Sequence, residues 1–274
     1  MLQTPAIVFC DVDSIMPARG KALEGFDEFS AALEHAAIPI IWVTNRTRLQ
    51  IDEPRRRMGH AHPFIAEGGC GSYLPEGYFH LRPAKTLRLG RFTCLPVAEP
   101  QPAASEALEE LAEKTGISVV TLRSLAPREL AQNSGLPAQQ AELLRQRDFD
   151  ELFFFAGASD SDIARFVETA RQQRRELRHN EPIWSLAVGA SLKQCVRDLV
   201  KLYERALRYQ PKLVAIAGES DASGMAAVFD RGFLLATSNN ESSSTPKPKT
   251  GFRRIPLGSP GFWRKILDGI GGRG

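Results

Sequence analysis

Cysteine is scarce and dispersed: Cys10, Cys70, Cys94 and Cys195 are the only four, with no C-x-x-C pair and no histidine cluster beside them. That spacing argues against a zinc site and a disulfide framework and suits a reducing cytosol, so a cytoplasmic protein is expected. Long apolar runs are missing too. No stretch approaches the roughly 20 residues of a membrane-spanning helix, and the start of the chain leads straight into a strand rather than a signal peptide. An excess of one charge is also lacking: 35 Lys and Arg against 32 Asp and Glu leave a net +3. The basic residues are scattered, with only short groups at 55–57 and 174–175. Neither nucleic acid nor membrane is indicated as a partner, no protein partner is identified, and no internal repeat is visible.

What remains is an ordinary globular composition, 43% hydrophobic and 24% charged over 274 residues, enough for a large core in one or two domains. The organising stretch is Ile7-Val8-Phe9-Cys10-Asp11-Val12-Asp13-Ser14, an apolar run that ends in two carboxylates one residue apart. It reads as a buried strand whose carboxyl end faces a ligand crevice. A second apolar run, Ile38 to Val43, ends in Thr44-Asn45-Arg46, and a third, Lys212 to Ala217, in Gly218-Glu219-Ser220-Asp221. The expected fold class is therefore α/β, a doubly wound, mostly parallel sheet in which the three strands are neighbours and their polar ends share one crevice.

Between these runs the texture changes. From about Leu81 to Trp184, strand-like segments (Arg91–Val97, Ile117–Leu122, Asp150–Phe155) mix with helices at 102–115 and after Ser159. This order suggests a smaller α+β layer inserted into the main sheet. Leu192, Cys195, Val196, Leu199, Tyr203 and Ala206 mark an amphipathic helix, and Gly232–Ala236 a further strand. Ser238 to Pro260, rich in Ser, Asn, Pro and Lys, is expected to be a long mobile loop before a helix at 262–270.

Two acidic groups, a hydroxyl, a nearby arginine and a third carboxylate suit magnesium-assisted phosphoryl chemistry, because magnesium bridges carboxylates to phosphate oxygens. Asp11-Val12-Asp13-Ser14, Val43-Thr44-Asn45-Arg46-Thr47 and Gly218-Glu219-Ser220-Asp221 resemble the first, second and fourth motifs of the haloacid dehalogenase-like phosphatases. Pro63-Phe64-Ile65-Ala66-Glu67-Gly68-Gly69, the spacing of Pro127–Leu130 to Asp148–Glu151, and Gly258–Phe262 are similar to the mannosyl-3-phosphoglycerate phosphatase family. The resemblance implies a catalytic core of residues 1–80 and 185–274 with residues 81–184 as an inserted cap. It implies that Asp11 is the nucleophile and Asp13 the general acid and base. Thr44, Asn45, Arg46 and Lys193 would bind a small phosphorylated metabolite, and Asp11, Asp13, Glu219 and Asp221 would hold Mg2+.

Several positions depart from that pattern. Ser14 and Ile15 stand for glycine and threonine, Glu219 for aspartate, and Ala222 and Ser223 for the asparagine and aspartate that close the fourth motif. Leu192 falls where the third-motif lysine is expected, with Lys193 beside it, and Pro182 and Ser185 replace substrate-facing arginine and histidine. Two functions stay open: a phosphatase of weakened activity, or a degenerate relative that binds a phosphorylated ligand or a partner protein.

Overall fold

Six consecutive buried residues at the start of the chain set the centre of the fold: β1 (Ala6–Asp11) has no exposed side, as a strand covered on both faces requires. The computed structural model describes residues 6–16, 22–80, 83–180, 183–218, 222–236 and 251–271. After β1 come α1 (Val12–Ile15), α2 (Phe26–His35), β2 (Ile40–Val43), α3 (Arg48–Arg57), β3 (Phe64–Ala66), β4 (Gly71–Pro75), β5 (Leu87–Leu89) and β6 (Phe92–Pro96). The middle of the chain holds α4 (Gln101–Thr115), β7 (Val119–Thr121), α5 (Pro127–Ser134), α6 (Ala138–Arg145), β8 (Glu151–Phe155), α7 (Asp160–Gln172), β9 (Arg175–Asn180) and β10 (Ile183–Val188). It closes with α8 (Leu192–Leu207), β11 (Lys212–Gly218), α9 (Ala222–Val228), β12 (Gly232–Ala236), β13 (Phe252–Pro256) and α10 (Phe262–Ile270).

The large sheet has the order β13-β12-β11-β1-β2-β3-β4-β6-β5. Pairing is parallel from β13 to β3 and antiparallel beyond. As expected, β1 lies between β2 and β11, with Phe9 level with Ile41 on one side and Ala215 on the other. Alternate residues feed two cores. Val8, Cys10, Trp42 and Phe64 pack under Phe26 and Phe29 of α2 and Trp263 and Ile266 of α10. Ile7, Phe9, Ile41 and Ile65 pack against Cys195, Leu199 and Tyr203 of α8. The result is a three-layer α/β/α sandwich.

A second, four-stranded sheet of order β7-β8-β10-β9 is antiparallel throughout. Phe153 and Leu186 face Leu108 and Leu111 of α4 and Phe166 of α7, whereas Leu152 faces Leu130 of α5 and Ala141 of α6.

Sheet membership does not change at the expected positions. Although residues 81–184 read as one inserted layer, β5 and β6 extend the large sheet. Tyr73 of β4 is level with Cys94, and Phe92 packs edge-on against Phe64 and Tyr73. At the other end β10, with Trp184 level with Phe153 and His179, stays in the small sheet up to Val188. The expected loop at 238–260 also needs correction. Phe252 and Ile255 are buried and β13 pairs in parallel with β12, so two apolar residues hold an edge strand within a polar stretch. Residues 237–250 lie outside the described residues. No described helix is long and apolar enough to cross a membrane.

Candidate active site

Asp11 ends β1 and caps α1: its Oδ1 accepts from the Asp13 amide at 3.0 Å. Its Oδ2 accepts from Ser14 Oγ at 2.5 Å and from the Gly218 amide, at the end of β11, at 3.4 Å. Only 3% of the residue is exposed. Burial raises its carboxyl above the usual range and the Asp13 charge adds to this, while the three donors work against both.

Asp13 points to the loop that follows β2. Thr44 Oγ1 donates to Asp13 Oδ1 at 2.5 Å, the Asn45 amide donates to Oδ2 at 2.7 Å, and Arg46 Nε lies 3.1 Å from Oδ1. Thr44 Oγ1 also accepts from the Arg46 amide, and Arg46 Nη2 donates to the Met16 carbonyl. Thr47 then caps α3 in a reciprocal pair with Gln50, so the loop ends in a fixed helix start.

A cavity of about 310 Å³ opens at this end of the sheet, and Asp11, Thr44, Asn45 and Lys193 all line it. Asp13 and Arg46 are not among the lining residues but are bonded to Thr44 and Asn45, which are. Lys193 therefore reaches the cavity from the first turn of α8, next to Leu192 and Ser191. Two glycines make this possible. Gly69, at φ +98°, would bring a Cβ within 2.5 Å of the Leu192 amide, so only glycine lets the turn after β3 meet the start of α8. Gly68, at φ +63°, leaves room for the Arg178 guanidinium, which a Cβ would meet at 2.5 Å.

Arg178 and Glu176, both on β9 of the small sheet, line the same cavity and were missed by the sequence reading. Their signal was the period-2 pattern around Leu177, which packs into the small-sheet core and sends its neighbours to the other face. Arg178 Nη1 donates to the Glu67 carbonyl at 3.2 Å. Glu67, used in no role at first, is 1% exposed, and burial pushes its carboxyl up to about 8 against the pull of Arg147.

The expected metal ligands Glu219 and Asp221 lie outside the described residues. Among the described residues no group of three or more His, Cys, Asp or Glu is placed to hold a metal ion. Asp11 and Asp13 nevertheless match magnesium in kind, as hard oxygen donors whose mutual repulsion a cation relieves.

A mostly parallel sheet with Asp11 at the end of β1, a cavity at the strand ends and a second β-sheet over it give this chain the haloacid dehalogenase-like fold of its structural neighbours. No family model matches the chain. It is similar to the glucosyl-3-phosphoglycerate/mannosyl-3-phosphoglycerate phosphatase of Persephonella marina, 23% identical over 245 residues, 87% of this chain and 88% of that one. The phosphatase of the same name from Methanococcoides burtonii is 21% identical over 173 residues, and the match spans 63% of each protein, just under two thirds. Among solved structures, a phosphatase of the haloalkanoate (HAD) enzyme superfamily from Bacteroides thetaiotaomicron superposes with a TM-score of 0.64 at 15% identity, covering 98% of this chain and 96% of its own.

Proposed function

We propose that the protein is a phosphoric monoester hydrolase that acts on a small phosphorylated sugar derivative through an aspartyl-phosphate on Asp11. The observation that carries this reading is the convergence of Asp11, Thr44, Asn45 and Lys193 on one cavity at the carboxyl ends of parallel strands. In the first half-reaction an Asp11 oxygen attacks phosphorus, the bond to the leaving oxygen breaks, and Asp13 gives that oxygen a proton. In the second, Asp13 takes a proton from water, whose oxygen attacks phosphorus and releases Asp11 and inorganic phosphate. Thr44 Oγ1 and the Asn45 amide, which now donate to Asp13, are the donors that a bound phosphoryl group takes up. Lys193, which lines the same cavity, offsets its charge. Arg178 and Glu176 read the leaving group from the small sheet, which acts as the cap. The names of the relatives make glucosyl- and mannosyl-3-phosphoglycerate the first substrates to test.

Magnesium belongs to this proposal. Asp11, the Asp13 carbonyl oxygen, Glu219 and Asp221 would hold it, and when bound it supplies neutralising charge for the phosphoryl oxygens. A screen of sugar phosphates and phosphoglycerate derivatives, with magnesium and after its removal by a chelator, tests the reading. Release of phosphate that needs magnesium and vanishes in Asp11→Asn is the expected result. Turnover is expected below the enzyme median of about 10 per second. Both Asp11 oxygens already accept hydrogen bonds from the protein, and Asp13 is held by two donors and the Arg46 guanidinium. The same hydrogen bonds favour the second reading, a ligand-binding relative. Phosphorylated-ligand binding without phosphate release would establish it.

A further inference from the structure

The loop bearing Thr44, Asn45 and Arg46 is held on two sides. Its donors, Thr44 Oγ1 and the Asn45 amide, face Asp13. Its three carbonyls face the other way, and each has its own donor. The Thr44 carbonyl accepts from the Gly68 amide at 2.9 Å, the Asn45 carbonyl from Arg147 Nη2 at 2.8 Å, and the Arg46 carbonyl from the Glu67 amide at 3.1 Å.

Behind those carbonyls lies a buried ionic cluster that the proposed chemistry does not use. Glu67 adopts φ +50°, a conformation that a non-glycine residue takes rarely and only when its surroundings fix it. Its carboxylate accepts from the amides of Asp148, Phe149 and Asp150 at 2.9, 2.9 and 3.2 Å. Arg147, whose side chain is 4% exposed, donates to both Asp150 oxygens, and its Nε lies 3.9 Å from Glu67 Oε2. The turn 147–150 leads directly into β8 of the small sheet, and its Asp148 carbonyl accepts from the Gln101 amide at the start of α4. The path from small sheet to loop is therefore a continuous set of hydrogen bonds, those of Arg147 charge-assisted, which a low-dielectric interior strengthens.

We propose that Glu67 and Arg147 are positioning residues that clamp the carbonyl side of the 44–46 loop and so aim its donors, Thr44 Oγ1 and the Asn45 amide, which hold Asp13 and which a bound phosphoryl group takes up. In this role the turn before β8 is a rigid strut between the small sheet and the catalytic loop. The kinetic part of the inference rests on the phosphatase reading; the clamp itself does not.

The test compares Glu67→Gln and Arg147→Met with Asp148→Asn. Asp148 lies in the same turn and bonds through its side chain to Arg48 and Tyr73, with no contact to the 44–46 loop. With p-nitrophenyl phosphate, the first two variants are expected to lose at least tenfold in kcat with KM changed less than threefold. The Asn45 amide should exchange with solvent at least 100-fold faster in both, while amides of β1 and β2 keep their protection. Asp148→Asn should lower the melting temperature but leave kcat and Asn45 exchange within threefold. Retained Asn45 protection in folded Glu67→Gln, or an equal loss in Asp148→Asn, overturns the clamp. If the variants do not fold, native-state exchange of the unaltered protein decides. The clamp requires the Asn45 amide and the amides of 148–150 to open together; an Asn45 amide that opens alone overturns it. Absence of any phosphatase turnover in the unaltered protein would sink the phosphatase reading and leave the exchange result to judge the clamp.

Discussion

Single residues carried the site in the sequence when they ended an apolar run and escaped notice when they sat inside a cap strand. Asp11 and Thr44 were legible because a buried strand followed by a polar group has few structural explanations. Ser14 stood only as a departure from glycine, yet its hydroxyl donates to Asp11 Oδ2. A hydrogen bond to a charged partner of this kind contributes about 1.5–3 kcal/mol. Ser14→Ala should lower unfolding free energy by an amount in or below that range, measured by urea denaturation. Arg178 was hidden because charged residues flank Leu177 on both sides and nothing in one sequence says which face meets a ligand. Arg178→Ala should raise KM for a sugar phosphate about tenfold. It should leave p-nitrophenyl phosphate, whose leaving group lacks the sugar hydroxyls to read, within twofold. Equal effects on both substrates would place Arg178 on the phosphoryl group instead.

Whole elements were legible where apolar periodicity was strong. The helix at 192–207, the strands β1, β2, β11 and β12 and the closing helix α10 all follow from it. Short strands were not: in β4, β5 and β13 the apolar residues are broken by Ser, Arg and Pro, so no apolar run stands out from the surrounding sequence. The α3–β3 connection carries a further expectation. His60 Nδ1 accepts from Arg55 Nε at 3.1 Å, its Nε2 then donates to the Ile40 carbonyl at 2.8 Å, and the ring packs on Trp42. This pattern needs a neutral imidazole. Burial, reinforced by the Arg55 charge, lowers its pKa to about 3 from the usual 6.5. Between these values the unfolded chain binds a proton that the folded protein refuses, so stability rises with pH across the window and is lost as pH falls through it. The slope from this one group approaches about 1.4 kcal/mol per pH unit. Acid titration of denaturant midpoints should show it, and His60→Asn should flatten the curve.

At the scale of the molecule, the small-sheet core around Phe153, Phe166 and Leu111 is a cluster distinct from those of the large sheet, with Ala187 of β10 alone among the described residues of the small-sheet strands packing into the large-sheet core. Phe153→Ala should cost about 3–5 kcal/mol within the small sheet. Hydrogen exchange should then accelerate in β7 to β10 and leave β1 and β11 protected; uniform acceleration would mean a single cooperative unit. The order of the large sheet also governs how the chain is made. β1 leaves the ribosome well before one of its two neighbours, β11, which begins about 200 residues later. At roughly 5–20 residues per second, its apolar edge waits some 10–40 s for a partner during synthesis. A nascent chain stalled before Lys212 should therefore hold chaperones on residues 6–11, and release them once β11 has emerged.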